Sequence, residues 1–171
     1  METPPENWVK LNIDGSAISN PGQSGSGGIF RNNQGEFITA FSHSIGISTN
    51  AAAELRALHI GLSIAKIKHF SRLIIESDSM FVVNLFNRKR VPKHLMLLHK
   101  DCQRKLIELD AWQITFVYRE ANRVADCLAK RAAAMNFFCQ ENFVTCPPFL
   151  SKLVQEDLHQ MYLRCTASHL L

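Results

Sequence analysis

Four carboxylates in four separate stretches of the chain could do chemistry together. Asp14 sits in WVKLNIDGS, Glu54 in TNAAAELRAL, Asp78 in LIIESDS and Asp126 in REANRVADCLAK. Each interrupts or adjoins an apolar run that reads as core, where an unpaired carboxylate is costly to bury. A cation compensates them if they converge. Oxygen donors alone, with no cysteine or histidine among them, suit hard cations such as magnesium, and two such ions clamp the oxygens of a phosphoryl-transfer reaction. Taken singly, each has a plainer explanation. Asp14 reads as an Asp-Gly turn, Asp78 as a helix N-cap, Asp126 as a first-turn residue on a solvated face, and Glu54 as the surface partner of a lysine or arginine. The joint pattern outweighs those readings.

The elements that must position these groups can be traced by periodicity. Residues 8–15 alternate Val9, Leu11 and Ile13 against Lys10, Asn12 and Asp14, the pattern of a strand with one buried face and Asp14 at its exit. The stretch SNPGQSGSGG reads as turn chemistry before a second strand at 27–32. Its glycines lack the lysine of a nucleotide cradle, so they read as a turn with close backbone approach to substrate. The run Asn32-Asn33-Gln34-Gly35 reads as a hairpin connection to a third strand at 36–45. Residues 50–68 read as a helix capped by Thr49 or Asn50, with Leu55, Leu58, Leu62 and Ala65 along one stripe. A strand at 71–77, helices at 79–86 and 94–109, a strand at 112–118 and a helix at 122–135 follow. Glu76 shares a strand face with Asp78 and reads as structural. The expectation is an α/β fold, a five-stranded mixed sheet of three antiparallel strands plus βαβ units, flanked by helices. The spans are a tail at 1–7, the domain at 8–136, and an extension at 137–171. In that extension Pro147-Pro148 precedes a helix near 149–164 with Phe149, Leu150, Leu153, Val154 and Leu158 at helical spacing. It reads as a packing or self-association surface.

Composition sets the outer bounds. The 171 residues suit one domain, and the net charge of +4 is compatible with a nucleic-acid partner. No apolar stretch is long enough to cross a membrane, and the acidic, proline-bearing start lacks the features of a secretory signal. An intracellular location, nuclear or cytoplasmic, is the expectation. Five scattered cysteines without CxxC spacing read as structural thiols. His94 and His99 are five apart without an HxxxH repeat, so zinc is not expected.

In order and context, these fragments resemble the type 1 ribonuclease H family, and within it the plant domains related to retroelement reverse transcriptases. Asp14-Gly15-Ser16 with Asn20-Pro21-Gly22 is similar to the family's first-strand motif, and Ala53-Glu54-Leu55 to its glutamate-bearing helix. Ser77-Asp78-Ser79 and Asn122-Arg123-Val124-Ala125-Asp126 complete the set. The resemblance covers roughly residues 9–136. It implies hydrolysis of the RNA strand of RNA·DNA hybrids by two magnesium ions, with manganese able to substitute, held by Asp14, Glu54, Asp78 and Asp126. It also implies nucleic-acid contacts from Gly15, Ser16, Asn20, Asn50, Ser79 and Asn122, in a minor groove that displays the 2′-hydroxyls. The chain departs from the best-known members at Ala51, where they carry asparagine, and at Met80, where they carry glutamine. A separate basic helix is also missing. The run holding Arg88, Lys89, Arg90 and Lys93 is expected to replace it as a phosphate-binding surface. The loop before Asp126 lacks the histidine that assists product release in many members, and Glu120 is the acidic candidate for that role. The alternative is a nucleic-acid-binding or interaction module that keeps the fold with little or no turnover.

Overall fold

The computed structural model describes residues 3–87, 90–135 and 138–168. Three strands open the fold: β1 (Val9–Ala17), β2 (Gly22–Arg31) and β3 (Phe37–Ser48), each antiparallel to the next. Helix α1 (Asn50–Ile67) starts at an N-cap from Thr49, whose hydroxyl accepts from the Ala52 amide. It leads into β4 (Arg72–Ser77), which lies parallel to β1 on the side away from β2. The short α2 (Met80–Phe86), a 3-10 turn at Lys93–Leu95 and α3 (Met96–Ile107) lead to β5 (Ala111–Phe116), parallel to β4. Helix α4 (Arg123–Ala133) follows a second 3-10 turn at Arg119–Ala121.

The sheet has six strands instead of the expected five. Residues Gln140–Phe143 form β6, which pairs antiparallel with the edge of β3 and gives the order β5-β4-β1-β2-β3-β6. Four residues reading QENF carry no hydrophobic period, so nothing in the segment itself announces a strand. Its pairing comes from β3, roughly a hundred residues earlier. The last helix, α5 (Pro148–Ser168), is longer than anticipated.

Both faces of the sheet are covered, which corrects the expectation for β1. On one face Leu11, Ile13, Phe30, Phe41, Leu73 and Ile75 pack with Leu55, Leu58 and Leu62 of α1 and with Cys102 and Leu106 of α3. On the other, Ile29 and Ala40 meet Val124 and Leu128 of α4 and Leu150 and Val154 of α5. Lys10, Asn12 and Asp14 point to this second side yet are 2%, 1% and 5% exposed. Their alternation suggested a solvated face because the covering helices lie more than a hundred residues downstream.

The glycine-rich segment is likewise a strand where a turn was expected. A Cβ on Gly25 would sit 2.4 Å from the Ala133 amide nitrogen, and one on Gly27 2.4 Å from that of Ala129. The close approach is therefore to the backbone of α4, which glycine alone permits at that distance. Among the described residues no helix is long and apolar enough to cross a membrane. The Cys102 thiol is buried and pushed up to about 12 by that burial, so it packs as an inert core group.

Candidate active site

Three of the four carboxylates converge where the pairing of β1 with β4 ends, and β1 runs on past Asp14 to Ala17, so Asp14 is not at the strand's exit as expected. Asp14 lies within β1, and Asp78 follows the last residue of β4, whose Ser77 pairs with Ile13. Glu54 comes from the first turns of α1, brought in by an unusually close helix–strand contact. A Cβ on Gly15 would lie 2.2 Å from the Glu54 amide nitrogen and 2.7 Å from its Cα. With no side chain there, α1 rests directly on β1. One oxygen from each of Asp14, Glu54 and Asp78 lies within 4.8 Å of the others.

Asp126, from the first turn of α4, lines the same cavity of about 390 Å³, together with Gly15, Ser16, Asn50, Arg119 and Lys130. Its oxygens are held by two cations: Arg119 Nη2 donates to Oδ1 and Lys130 Nζ to Oδ2, each at 2.7 Å. Partial burial disfavours its charge, but those donors win and hold its carboxyl below the usual range. The other end of the cluster behaves oppositely. Burial, then the charges of Asp78 and Asp126, push Asp14 up to about 8. Burial, then Asp14 and Asp78, also raise Glu54 well above an ordinary glutamate. Glu54 Oε2 is buried and has no hydrogen-bond partner among the described residues.

These features fit a hard divalent cation. The donors are oxygens only, their mutual repulsion is relieved by positive charge, and one carboxylate of the cluster has a buried, unsatisfied acceptor.

The other expected site residues are placed as follows. Asn50 and Asn20 stand together at the rim: the Asn50 amide donates to Asn20 Oδ1 at 3.2 Å, while Asn50 Oδ1 accepts from the Ala17 amide at 2.9 Å. Ser79 caps α2 by accepting from Val82, the role considered above for Asp78. Asn122 departs from the expectation of a nucleic-acid contact. It is 1% exposed, and its Nδ2 donates to the Ile13 carbonyl at 2.9 Å and to Asp78 Oδ1 at 3.1 Å. It steadies a carboxylate of the cluster from beneath. Glu120 is exposed and does not line the cavity, whereas its neighbour Arg119 does. Arg90 and Lys93 are exposed, and Arg88 and Lys89 lie outside the described residues.

Sequence reasoning missed Arg119 and Lys130. Lys130 was available as the i+4 partner of Asp126 on a helix. Arg119 was not, because it reaches Asp126 from a separate 3-10 turn, and no sequence spacing fixes which charged residue of that turn faces inward.

Residues 12–132 match the reverse transcriptase-like family. A protein of Arabidopsis thaliana named for ribonuclease H is 35% identical over 151 residues, which is 88% of this chain and 24% of that protein. Ribonuclease HI of Halobacterium salinarum is 29% identical over 131 residues, 72% of this chain and 63% of its own length. This chain thus spans about a quarter of the plant relative and under two thirds of the archaeal one. The crystal structure of RNase H1 from that archaeon superposes with a TM-score of 0.70 over 73% of this chain and 96% of its own. LC11-RNase H1 in complex with an RNA/DNA hybrid gives a TM-score of 0.69 at 23% identity, over 73% of this chain and 96% of its own, a likeness of fold alone. The chain belongs to the reverse transcriptase-like family and is built on the ribonuclease H fold.

Proposed function

We propose that this chain hydrolyses the RNA strand of RNA·DNA hybrids, with Asp14, Glu54, Asp78 and Asp126 holding two divalent cations, magnesium in the first instance. The observation that carries the reading is the cluster itself: three carboxylates within 4.8 Å, one with a buried and unsatisfied oxygen, at the positions where the family motifs fall. Bound cations would supply a hydroxide-like nucleophile near neutral pH and neutralise charge on the leaving oxygen. The chain's own residues set the stage. Asn122 fixes one oxygen of Asp78, Gly15 lets Glu54 reach Asp14, and Arg119 and Lys130 keep Asp126 ionised. Ser16, Asn20 and Asn50 form a polar rim along which a nucleic-acid backbone can lie.

The test is cleavage of labelled RNA·DNA hybrid beside duplex DNA and duplex RNA, with magnesium, manganese, calcium or chelator. Cutting of the hybrid's RNA strand alone, dependent on magnesium or manganese, is expected. Hybrid binding with no cleavage under any metal would replace the hydrolase by a binding module.

The basic run after α2 makes a second measurable expectation. Replacing Arg88, Lys89, Arg90 and Lys93 with glutamine should weaken hybrid binding and flatten its salt dependence, by nearly one unit of log–log slope for each phosphate no longer neutralised. An unchanged slope and affinity would remove this run from the binding surface.

A further inference from the structure

The second face of the sheet carries a buried polar network of which the catalytic reading uses only the Asn122–Asp78 end. On α5, Asp157 is 3% exposed and accepts from Arg31 Nη2 of β2 at 2.9 Å. Arg31, itself 1% exposed, gives Nη1 to Asn12 Oδ1 of β1 at 2.9 Å. Asn12 Nδ2 then donates to Glu76 Oε2 at 2.9 Å and to Asn122 Oδ1 at 3.3 Å. Asn122 Nδ2 reaches Asp78. A continuous line of side chains therefore runs from the last helix to a carboxylate of the site.

The line has a direction. A side-chain amide is nearly symmetric in shape, so its partners decide which end faces where. Arg31 has donors only, which compels Asn12 to turn its oxygen toward the guanidinium and its nitrogen away. Asn122 presents its oxygen to Asn12 and its nitrogen to Asp78 and to the Ile13 carbonyl, so Asn12 reinforces an orientation that the carbonyl also favours. Reversal of Asn12 would set like against like at Arg31, Glu76 and Asn122, and reversal of Asn122 would leave Asp78 Oδ1 facing an acceptor. Arg31 can stay buried and charged because Asp157 compensates it. Asp157 also accepts from Arg123 Nη2 at 3.2 Å, at the start of α4 beside Asn122.

We propose that Asp157 is a positioning residue for Asp78, acting through Arg31, Asn12 and Asn122, so that the C-terminal helix sets the donor that orients a metal ligand. The inference rests on the reading of Asp78 as a ligand. It assigns to α5 a part in a site whose cavity none of its described side chains lines.

The experiment compares the whole chain with three variants. Arg31→Met/Asp157→Leu removes the anchoring pair without leaving an unpaired buried charge. Asn12→Asp keeps the shape and the bond from Arg31, sets a carboxylate against both Glu76 and the Asn122 oxygen, and so breaks the line at its middle if the double variant fails to fold. Arg31→Lys keeps a donor-only cation against Asn12. Thermal melts verify folding, the Asn122 side-chain amide is followed by nitrogen-15 NMR, and magnesium affinity is measured by calorimetry. In the double variant and in Asn12→Asp, the Asn122 amide protons should shift and exchange faster, and magnesium affinity should fall about three- to tenfold. Arg31→Lys keeps the charge but loses the fork that spans Asn12 and Asp157, so it should fall between the parent and the double variant. A folded double variant or Asn12→Asp with unchanged Asn122 signals and unchanged magnesium affinity overturns the proposal. Hybrid cleavage is assayed separately. A parent that binds magnesium but cuts no hybrid sinks the hydrolase reading, while the NMR shift and the affinity loss still uphold the relay.

Discussion

Asp14→Asn should lower hybrid cleavage by roughly three orders of magnitude or more, because a ligand's charge supports several kcal/mol of transition-state stabilisation. The same variant should be more stable than the parent when metal is absent. An unfolded Asp14 releases its proton near 3.8, whereas the folded one keeps it to about 8 because of burial and the charges of Asp78 and Asp126. Between those values the native state binds more protons than the unfolded state, so the metal-free parent loses stability as pH rises through the window. The contribution is complete below about 4 and gone above about 8, and Glu54, shifted in the same direction, adds to the slope. Asparagine carries no charge to repel. At pH 8 without metal it should raise the melting temperature by roughly 5–10 °C, corresponding to about 2–3 kcal/mol for a chain of this size. Magnesium affinity of the parent should climb with pH up to about 8, since binding must displace a proton. Melts from pH 4 to 8 with and without magnesium, alongside cleavage, decide it. Normal turnover in Asp14→Asn, or a metal-free melting curve indifferent to pH, would refute the electrostatic account.

Gly15→Ala should be the most damaging single methyl in the domain. The new Cβ would fall 2.2 Å from the Glu54 amide nitrogen and 2.4 Å from the Ala53 carbonyl carbon, both backbone atoms that no rotamer change can move aside. Helix α1 has to lift from β1. Overpacking of this kind costs about 3 kcal/mol, and the melting temperature should drop by roughly 6–12 °C. Lifting α1 also carries Glu54 away from Asp14, so magnesium affinity should fall in whatever fraction stays folded. Calorimetric melts and magnesium titration of the folded protein would show both losses. A variant that melts and binds like the parent would mean that α1 has slack the geometry does not reveal.

How much of this was legible in the sequence follows from where each signal originates. The four carboxylates could be read because each is a local contradiction, an acid set in or beside an apolar run. The stripe of α1 and its Thr49 cap are also local. What escaped depends on partners far away in the chain. Asn12 and Arg31 look like a wet strand face until α4 and α5 cover them. Strand β6 exists because β3 offers an edge. The glycines of β2 look like a turn, and only the backbone of α4 lying across them explains their absence of side chains. Asn122 was noticed for its place in a motif, but its burial and its bond to Asp78 come from the meeting of three elements.

The covering of the second face by α5 separates two boundaries that are easily confused. All four carboxylates are in hand by Asp126, and the family match ends at residue 132. A fragment cut there would hold every carboxylate of the proposed site. Yet it would expose Ile29 and Ala40, which Leu150 and Val154 otherwise shield, and would uncover Arg31 and remove its counter-charge. Proteolytic trimming of the last helix should therefore act as a loss of solubility and order before any loss of chemistry, and the smallest useful piece of this protein extends at least through Asp157.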